Sequence, residues 1–222
     1  MMIKAAYAVP RRTVLEDGKE AVFNENEVQE ISCYYIQDKF GYCKLMDEAT
    51  YQRNQEAVES DNRFVLKCKN TDRVLLFTDK GNMHQIKCQD VPLGKFKDKG
   101  VPIDNISKYN ANQEEIIYVN VKSALAGKTL IFATRDAMVK LVETSEFETA
   151  NKLVAATKLG EGDRLIEIRE MAYETDIVFE THDGYFLRCS LSDIPLQKKN
   201  SKGVIGIRLG KCDTLEHFYL LG

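Results

Sequence analysis

Short apolar and aromatic runs alternate with polar Asp/Lys/Gly turns along this chain, and the alternation repeats. Three copies are Val74-Leu75-Leu76-Phe77-Thr78-Asp79-Lys80-Gly81, Leu130-Ile131-Phe132-Ala133-Thr134-Arg135-Asp136-Ala137 and Ile177-Val178-Phe179-Glu180-Thr181-His182-Asp183-Gly184; a looser fourth is Cys33-Tyr34-Tyr35-Ile36-Gln37-Asp38-Lys39-Phe40-Gly41. Each copy leaves its turn in a second apolar run, as in Gly184-Tyr185-Phe186-Leu187-Arg188. This is the signature of a β-hairpin, with glycine supplying the positive φ of the tight turn. The echo extends beyond the hairpin. Val91-Pro92 and Ile194-Pro195 stand at one shared offset, Lys99-Gly100-Val101 and Lys202-Gly203-Val204 at another, and strand-like runs at 63–68, 115–121, 164–168 and 215–221 close the units. Four short strands in about 40 to 55 residues make a propeller blade, which cannot bury both faces alone and must pack against its neighbours around an axis. The pattern predicts an all-β domain of about four blades with four short strands each.

Composition agrees with that reading. The 222 residues, 44% hydrophobic, suffice for one large all-β domain. No apolar run approaches the ~20 residues of a membrane span, and the first run is cut by Pro10-Arg11-Arg12, so neither a signal peptide nor a membrane helix is expected. Six cysteines without a C-x-x-C pair, mostly within apolar strand runs, read as reduced thiols, and three histidines without ligand spacing as surface or turn residues, so no metal is expected.

The formal net charge of −3 does not advertise a polyanion binder, but its distribution does. Between Gly184 and Lys211 stand Arg188, Lys198, Lys199, Lys202, Arg208 and Lys211 against Asp193 alone, and Lys95, Lys97 and Lys99 occupy the corresponding place two modules earlier. The stretch from Glu161 to Asp183 is acidic, and its pairs Glu167/Glu170 and Asp176/Asp183 read as solvated carboxylates. No nucleophile elbow, zinc-protease or P-loop motif occurs, and Tyr34, Tyr35, Tyr118 and Tyr219 read as strand residues, so no catalytic residue is expected in this chain.

The run from Leu75 to Lys87, continuing through Val91-Pro92 and Gly94-Lys95-Phe96-Lys97-Asp98-Lys99-Gly100-Val101 to Ile106, resembles the repeat of the C-terminal domain of the A subunits of bacterial type IIA DNA topoisomerases, the gyrase A and topoisomerase IV A family. Leu130-Ile131-Phe132-Ala133-Thr134, Ala155-Ala156-Thr157-Lys158-Leu159-Gly160 and Asp183-Gly184-Tyr185-Phe186-Leu187-Arg188 are similar to it too, and the likeness runs from about Val28 to Gly222. Pro10-Arg11-Arg12-Thr13-Val14-Leu15 resembles the stretch that leaves the breakage-reunion domain, which makes 1–26 a linker and 27–222 the domain.

The resemblance implies a β-pinwheel, in which neighbouring blades exchange strands, and a basic rim that bends or wraps duplex DNA and presents it to the catalytic core. The expected DNA-binding residues are Lys95, Lys97, Lys99, Gly100, Lys198, Lys199, Lys202, Gly203 and Arg208. Gyrase carries a Q-R-R-G-G-K-G loop in its first module. Here the nearest match, Gln197-Lys198-Lys199-Asn200-Ser201-Lys202-Gly203, stands in the last module, and the first has the weakly basic Tyr51-Gln52-Arg53-Asn54-Gln55-Glu56-Ala57, a departure that favours a topoisomerase IV-like or divergent gyrase protein. The implied partners are duplex DNA, the ATPase B subunit of the enzyme, and the remainder of its A subunit, in the bacterial cytoplasm at the nucleoid. The resemblance also implies no cofactor in this domain, with ATP and Mg2+ expected to serve the parent enzyme elsewhere. A propeller-like protein-interaction module is the alternative.

Overall fold

The computed structural model describes residues 29–222, so the expected linker, with its strand-like runs Arg12-Thr13-Val14-Leu15 and Ala21-Val22-Phe23, lies outside the described residues. The strands are β1 Ser32–Asp38, β2 Tyr42–Asp47, β3 Asn62–Lys69, β4 Arg73–Thr78, β5 Asn82–Lys87, β6 Val101–Pro102, β7 Ile116–Val121, β8 Thr129–Thr134, β9 Met138–Glu143, β10 Leu153–Ala155, β11 Leu165–Met171, β12 Asp176–Thr181, β13 Phe186–Ser190, β14 Val204–Ile205 and β15 Leu215–Leu221. They form four antiparallel sheets, ordered β3-β1-β2-β6, β10-β5-β4-β7, β11-β8-β9-β14 and β13-β12-β15.

The repeated motif is the central hairpin of each blade. Gly41, Gly81 and Gly184 close three of the hairpins with φ of 85°, 72° and 83°, while Ala137 takes the equivalent position at φ 59°. Beyond the hairpin the chain crosses to the preceding blade, adds a short strand to its edge, and returns to close its own blade. Thus β6 pairs with β2, β10 with β5 and β14 with β9, each coming from the module after the one it covers. The blades therefore exchange strands as the resemblance implies. Blade 4 receives no such strand among the described residues and has three.

Packing explains why the hairpin strands read as continuous apolar runs rather than alternating ones. Side chains alternate between the two faces of a strand, and a strand buried on both faces needs apolar residues throughout. On β4, Val74 and Leu76 pack against blade 1 with Tyr35 and Leu45, whereas Leu75 and Phe77 face blade 3 with Leu130 and Phe132. On β8, Ile131 and Ala133 face blade 4 with Ile177 and Phe179.

The two ends of the array differ. In the first module, where the later modules send out their crossing strand, residues 48–61 form two helices, α1 Glu48–Arg53 and α2 Gln55–Asp61, which the hairpin repeat does not predict. Asp47 caps α1, its Oδ1 accepting from the Thr50 amide at 2.8 Å. Tyr51 and Val58 from this pair cover Ile36 and Met46, and Tyr51 stacks on Tyr34 with ring centroids 3.7 Å apart, so the helices close the free face of blade 1. Among the described residues blade 4 has no such cover. On β12 only Ile177, Phe179 and Thr181 are buried, and Tyr185, Phe186 and Leu187 on the second run of its hairpin are exposed. No core cluster of the described residues joins blade 4 to blade 1.

Candidate nucleic-acid interface

The two basic clusters fold into one loop built twice. Loop 1 runs from Pro92 to Val101 at the outer edge of blade 1, and loop 2 from Pro195 to Val204 at the outer edge of blade 3. Loop 1 begins where the Leu45 amide donates to Pro92 O (2.8 Å) and loop 2 where the Leu141 amide donates to Pro195 O (3.1 Å). Each then makes a turn, closed by Asp98 N to Lys95 O (3.1 Å) and by Ser201 N to Lys198 O (3.1 Å). Each ends at a glycine of positive φ, Gly100 (81°) or Gly203 (94°). A Cβ at Gly100 would stand 2.2 Å from Cys43 O and one at Gly203 2.5 Å from Val139 O, so the edge strand can approach β2 or β9 only with glycine there.

One lysine lies inside each loop. Lys44 on β2 is 7% exposed, and its Nζ donates to the carbonyls of Lys95 (3.0 Å), Phe96 (2.8 Å) and Asp98 (2.6 Å). Lys140 on β9 is 1% exposed, and its Nζ donates to the equivalent carbonyls of Lys198 (3.3 Å), Lys199 (2.8 Å) and Ser201 (2.8 Å). Burial pulls the Lys140 ammonium down to about 8, against an upward pull from Glu146, and lowers Lys44 likewise, against Asp98 and Asp38. Sequence reasoning missed both. The available signal was a lysine in the middle of an apolar strand, three residues after the hairpin turn in Tyr42-Cys43-Lys44-Leu45-Met46 and Met138-Val139-Lys140-Leu141-Val142.

With their carbonyls turned inward, the loops point their own side chains out. Lys95, Lys97, Lys99, Lys198 and Lys202 are exposed, and the Lys99 ammonium rests 4.0 Å from the Tyr42 ring centroid. Lys199 departs from expectation, because its Nζ is spent on Glu146 O at 2.5 Å and the side chain is half-buried. Arg208 is exposed but lies beyond β14, outside both loops. Lys158, not foreseen, adjoins loop 2: its amide donates to Ser201 O at 3.3 Å, and the residue is exposed.

Other expected residues also find their places. His84 is not a surface or turn residue; it is 1% exposed on β5, with Nε2 2.7 Å from Glu114 Oε1. The acidic pairs are not simply solvated, since Glu170 accepts from Tyr118 Oη at 2.7 Å and pairs with Lys128, Glu167 pairs with Arg169, and Asp176 with Arg188. An axial cleft between the inner strands is lined by Arg63, Arg135, Arg164 and His182 together with Asp79, Glu115 and Glu216. Arg63 and Arg135 there donate to the carbonyls of Ile116 (2.8 Å) and Gly162 (2.6 Å), which ties them to the frame. Among the described residues no His/Cys/Asp/Glu group is arranged to hold a metal, and no helix is long and apolar enough to cross a membrane.

Comparison with known proteins agrees with this architecture. The A subunit of DNA gyrase from Lawsonia intracellularis (strain PHE/MN1-00) is 30% identical over 225 residues, covering 96% of this chain and 27% of that protein. The A subunit of DNA topoisomerase 4 from Streptococcus pneumoniae serotype 4 (strain ATCC BAA-334 / TIGR4) is 27% identical over 232 residues, covering 98% of this chain and 28% of that protein. The chain thus spans about a quarter of the length of these curated relatives. Among solved structures, a C-terminal domain of DNA topoisomerase IV superposes with a TM-score of 0.79 at 23% identity, over 88% of this chain and 62% of that one. The E. coli ParC C-terminal domain gives 0.70 at 15% identity, over 86% and 80%. The family model described as DNA gyrase C-terminal domain, beta-propeller, matches residues 72–121, 128–169 and 175–221, the second, third and fourth modules, and the chain belongs to that family.

Proposed function

We propose that this chain is a DNA-binding domain from the A subunit of a type IIA topoisomerase, which grips duplex DNA along the outer edges of its blades and presents it to the catalytic core. The observation that carries the reading is the twice-built loop, which exposes Lys95, Lys97 and Lys99 on blade 1 and Lys198 and Lys202 on blade 3. Lysines so displayed neutralise phosphates and release counterions without reading bases. The two loops stand on alternate blades, so a duplex touching both must follow the curvature of the array. Bending 20 to 30 bp costs about 1 to 6 kcal/mol, which several phosphate contacts offset. Where a gyrase-type loop belongs in the first module stand α1 and α2, which supports a topoisomerase IV-like or divergent gyrase protein that bends a segment rather than wrapping it.

In this reading DNA cleavage and ATP hydrolysis, with its Mg2+, belong to the B subunit of the enzyme and to the remainder of its A subunit, in the bacterial cytoplasm. The second reading, a protein-interaction module, is favoured by the outer edge of β13, to which no strand pairs among the described residues, with exposed Tyr185 and Phe186. Resealing a nicked plasmid with ligase in increasing amounts of the protein, beside a gel-shift titration, separates the possibilities. Binding with little linking-number shift supports the bending domain, a positive shift growing with protein supports gyrase-like wrapping, and no binding at low salt supports a protein partner.

A further inference from the structure

Among the described residues Lys44 and Lys140 are the two most deeply placed lysines, yet neither makes an ion pair there; each gives its hydrogen bonds to backbone carbonyls of a single loop. Three carbonyls converging on one point need three donors, which only an ammonium supplies from a single atom. The modules of this chain supply an internal comparison. Three residues after the hairpin turn stand Lys44, His84, Lys140 and Leu187. Both lysines lie under a segment carrying exposed lysines and a Lys-Gly end. His84 turns instead to Glu114, and the segment over its strand, 144–155, carries Glu146 and Glu148 and has Lys152-Leu153 where the two loops have Lys-Gly. Leu187 is exposed, and among the described residues no segment covers it. The buried lysine therefore accompanies the basic loop and is missing where that loop is missing.

We propose that Lys44 and Lys140 are positioning residues for DNA: each buried ammonium gathers the carbonyls of one loop inward and so holds the exposed lysines of that loop outward toward the phosphate backbone. The inference rests on the DNA-binding reading and deepens it. Neither ammonium meets DNA itself. Its loss releases the loop, and the exposed lysines then bind DNA only by giving up conformational freedom that the wild type has already lost.

The test uses the whole chain, wild type, Lys140→Met, Lys44→Met and the control Lys80→Met, whose lysine is exposed on a hairpin turn outside both loops. Two quantities are read: amide hydrogen exchange along the loops, and the salt dependence of affinity for a 30-bp fluorescein-labelled duplex. Lys140→Met is expected to speed exchange at least tenfold over residues 198–203 while loop 1 stays protected, and to weaken binding about tenfold, with the logarithmic salt slope falling by more than the ~0.9 of one phosphate contact. Lys44→Met should do the same to loop 1, and it carries the test if Lys140→Met does not fold. Unchanged exchange in both loops, or a loss of affinity no larger than that of Lys80→Met, overturns the proposal. A loosened loop in a protein whose wild type binds no DNA overturns the DNA reading and with it the positioning role, while upholding the cradle.

Discussion

At the scale of single residues, the chain decides where backbone may approach backbone. Gly100 and Gly203 are legible as the end of a repeated Lys-Gly signal, and the structure gives the reason: positive φ and a carbonyl that leaves no room for a Cβ. Gly203→Ala should therefore lower stability by about 2 kcal/mol or more in urea unfolding and weaken DNA binding with it. Lys140 carries a pH prediction. Its ammonium faces the carbonyls of Lys198, Lys199 and Ser201, the Phe132 ring at 5.6 Å and the nearby Glu146, to whose carbonyl the Lys199 ammonium is bound. Burial brings it to about 8, below the unfolded value of about 10.4. Between those values the unfolded chain holds the extra proton, so this group makes stability rise with pH there. Urea melts from pH 7.5 to 10 should show that rise in the wild type relative to Lys140→Met; parallel curves contradict it. Neither Lys140 nor His84 was legible as buried, because the partners that hold each, the loop carbonyls or Glu114, come from distant parts of the chain.

Among the elements, the hairpins were readable because turn glycines and strands buried on both faces leave local marks. The helices α1 and α2 were not, because they answer a need of the whole array: blade 1 has a free face to cover. Their apolar content is slight, mainly Tyr51 and Val58, and such a short stretch shows little period. Val58, 1% exposed, fills that cover, so Val58→Ala should cost about 2 kcal/mol of unfolding free energy. Phe186→Lys on blade 4, where the ring is 62% exposed, should stay within about 0.5 kcal/mol of wild type. A comparable loss at both sites would mean that the two ends of the array are not different as described. The donated strands β6, β10 and β14 are only two or three residues long, too short to be recognised as strands without the blade that receives them.

For the molecule as a whole, strand exchange turns a row of similar modules into one interlocked array, and it also sets the surface chemistry. Because each crossing segment travels to the outer edge of the preceding blade, the lysines of modules two and four are delivered to the edges of blades 1 and 3. A chain of net charge −3 can in this way present a mainly basic edge while its carboxylates pair among the strands. The repeat and the basic clusters were visible in the sequence; which blade each cluster would decorate was not, since that depends on the crossing. The most direct test is the salt dependence of duplex binding by the wild type and by a variant carrying Lys95→Glu, Lys99→Glu, Lys198→Glu and Lys202→Glu. Five exposed lysines in the two loops predict a logarithmic slope of about −4 to −5 for the wild type and little binding by the variant at any salt. A variant that binds as the wild type does, with the same slope, would place the DNA elsewhere and contradict the basic-edge interface.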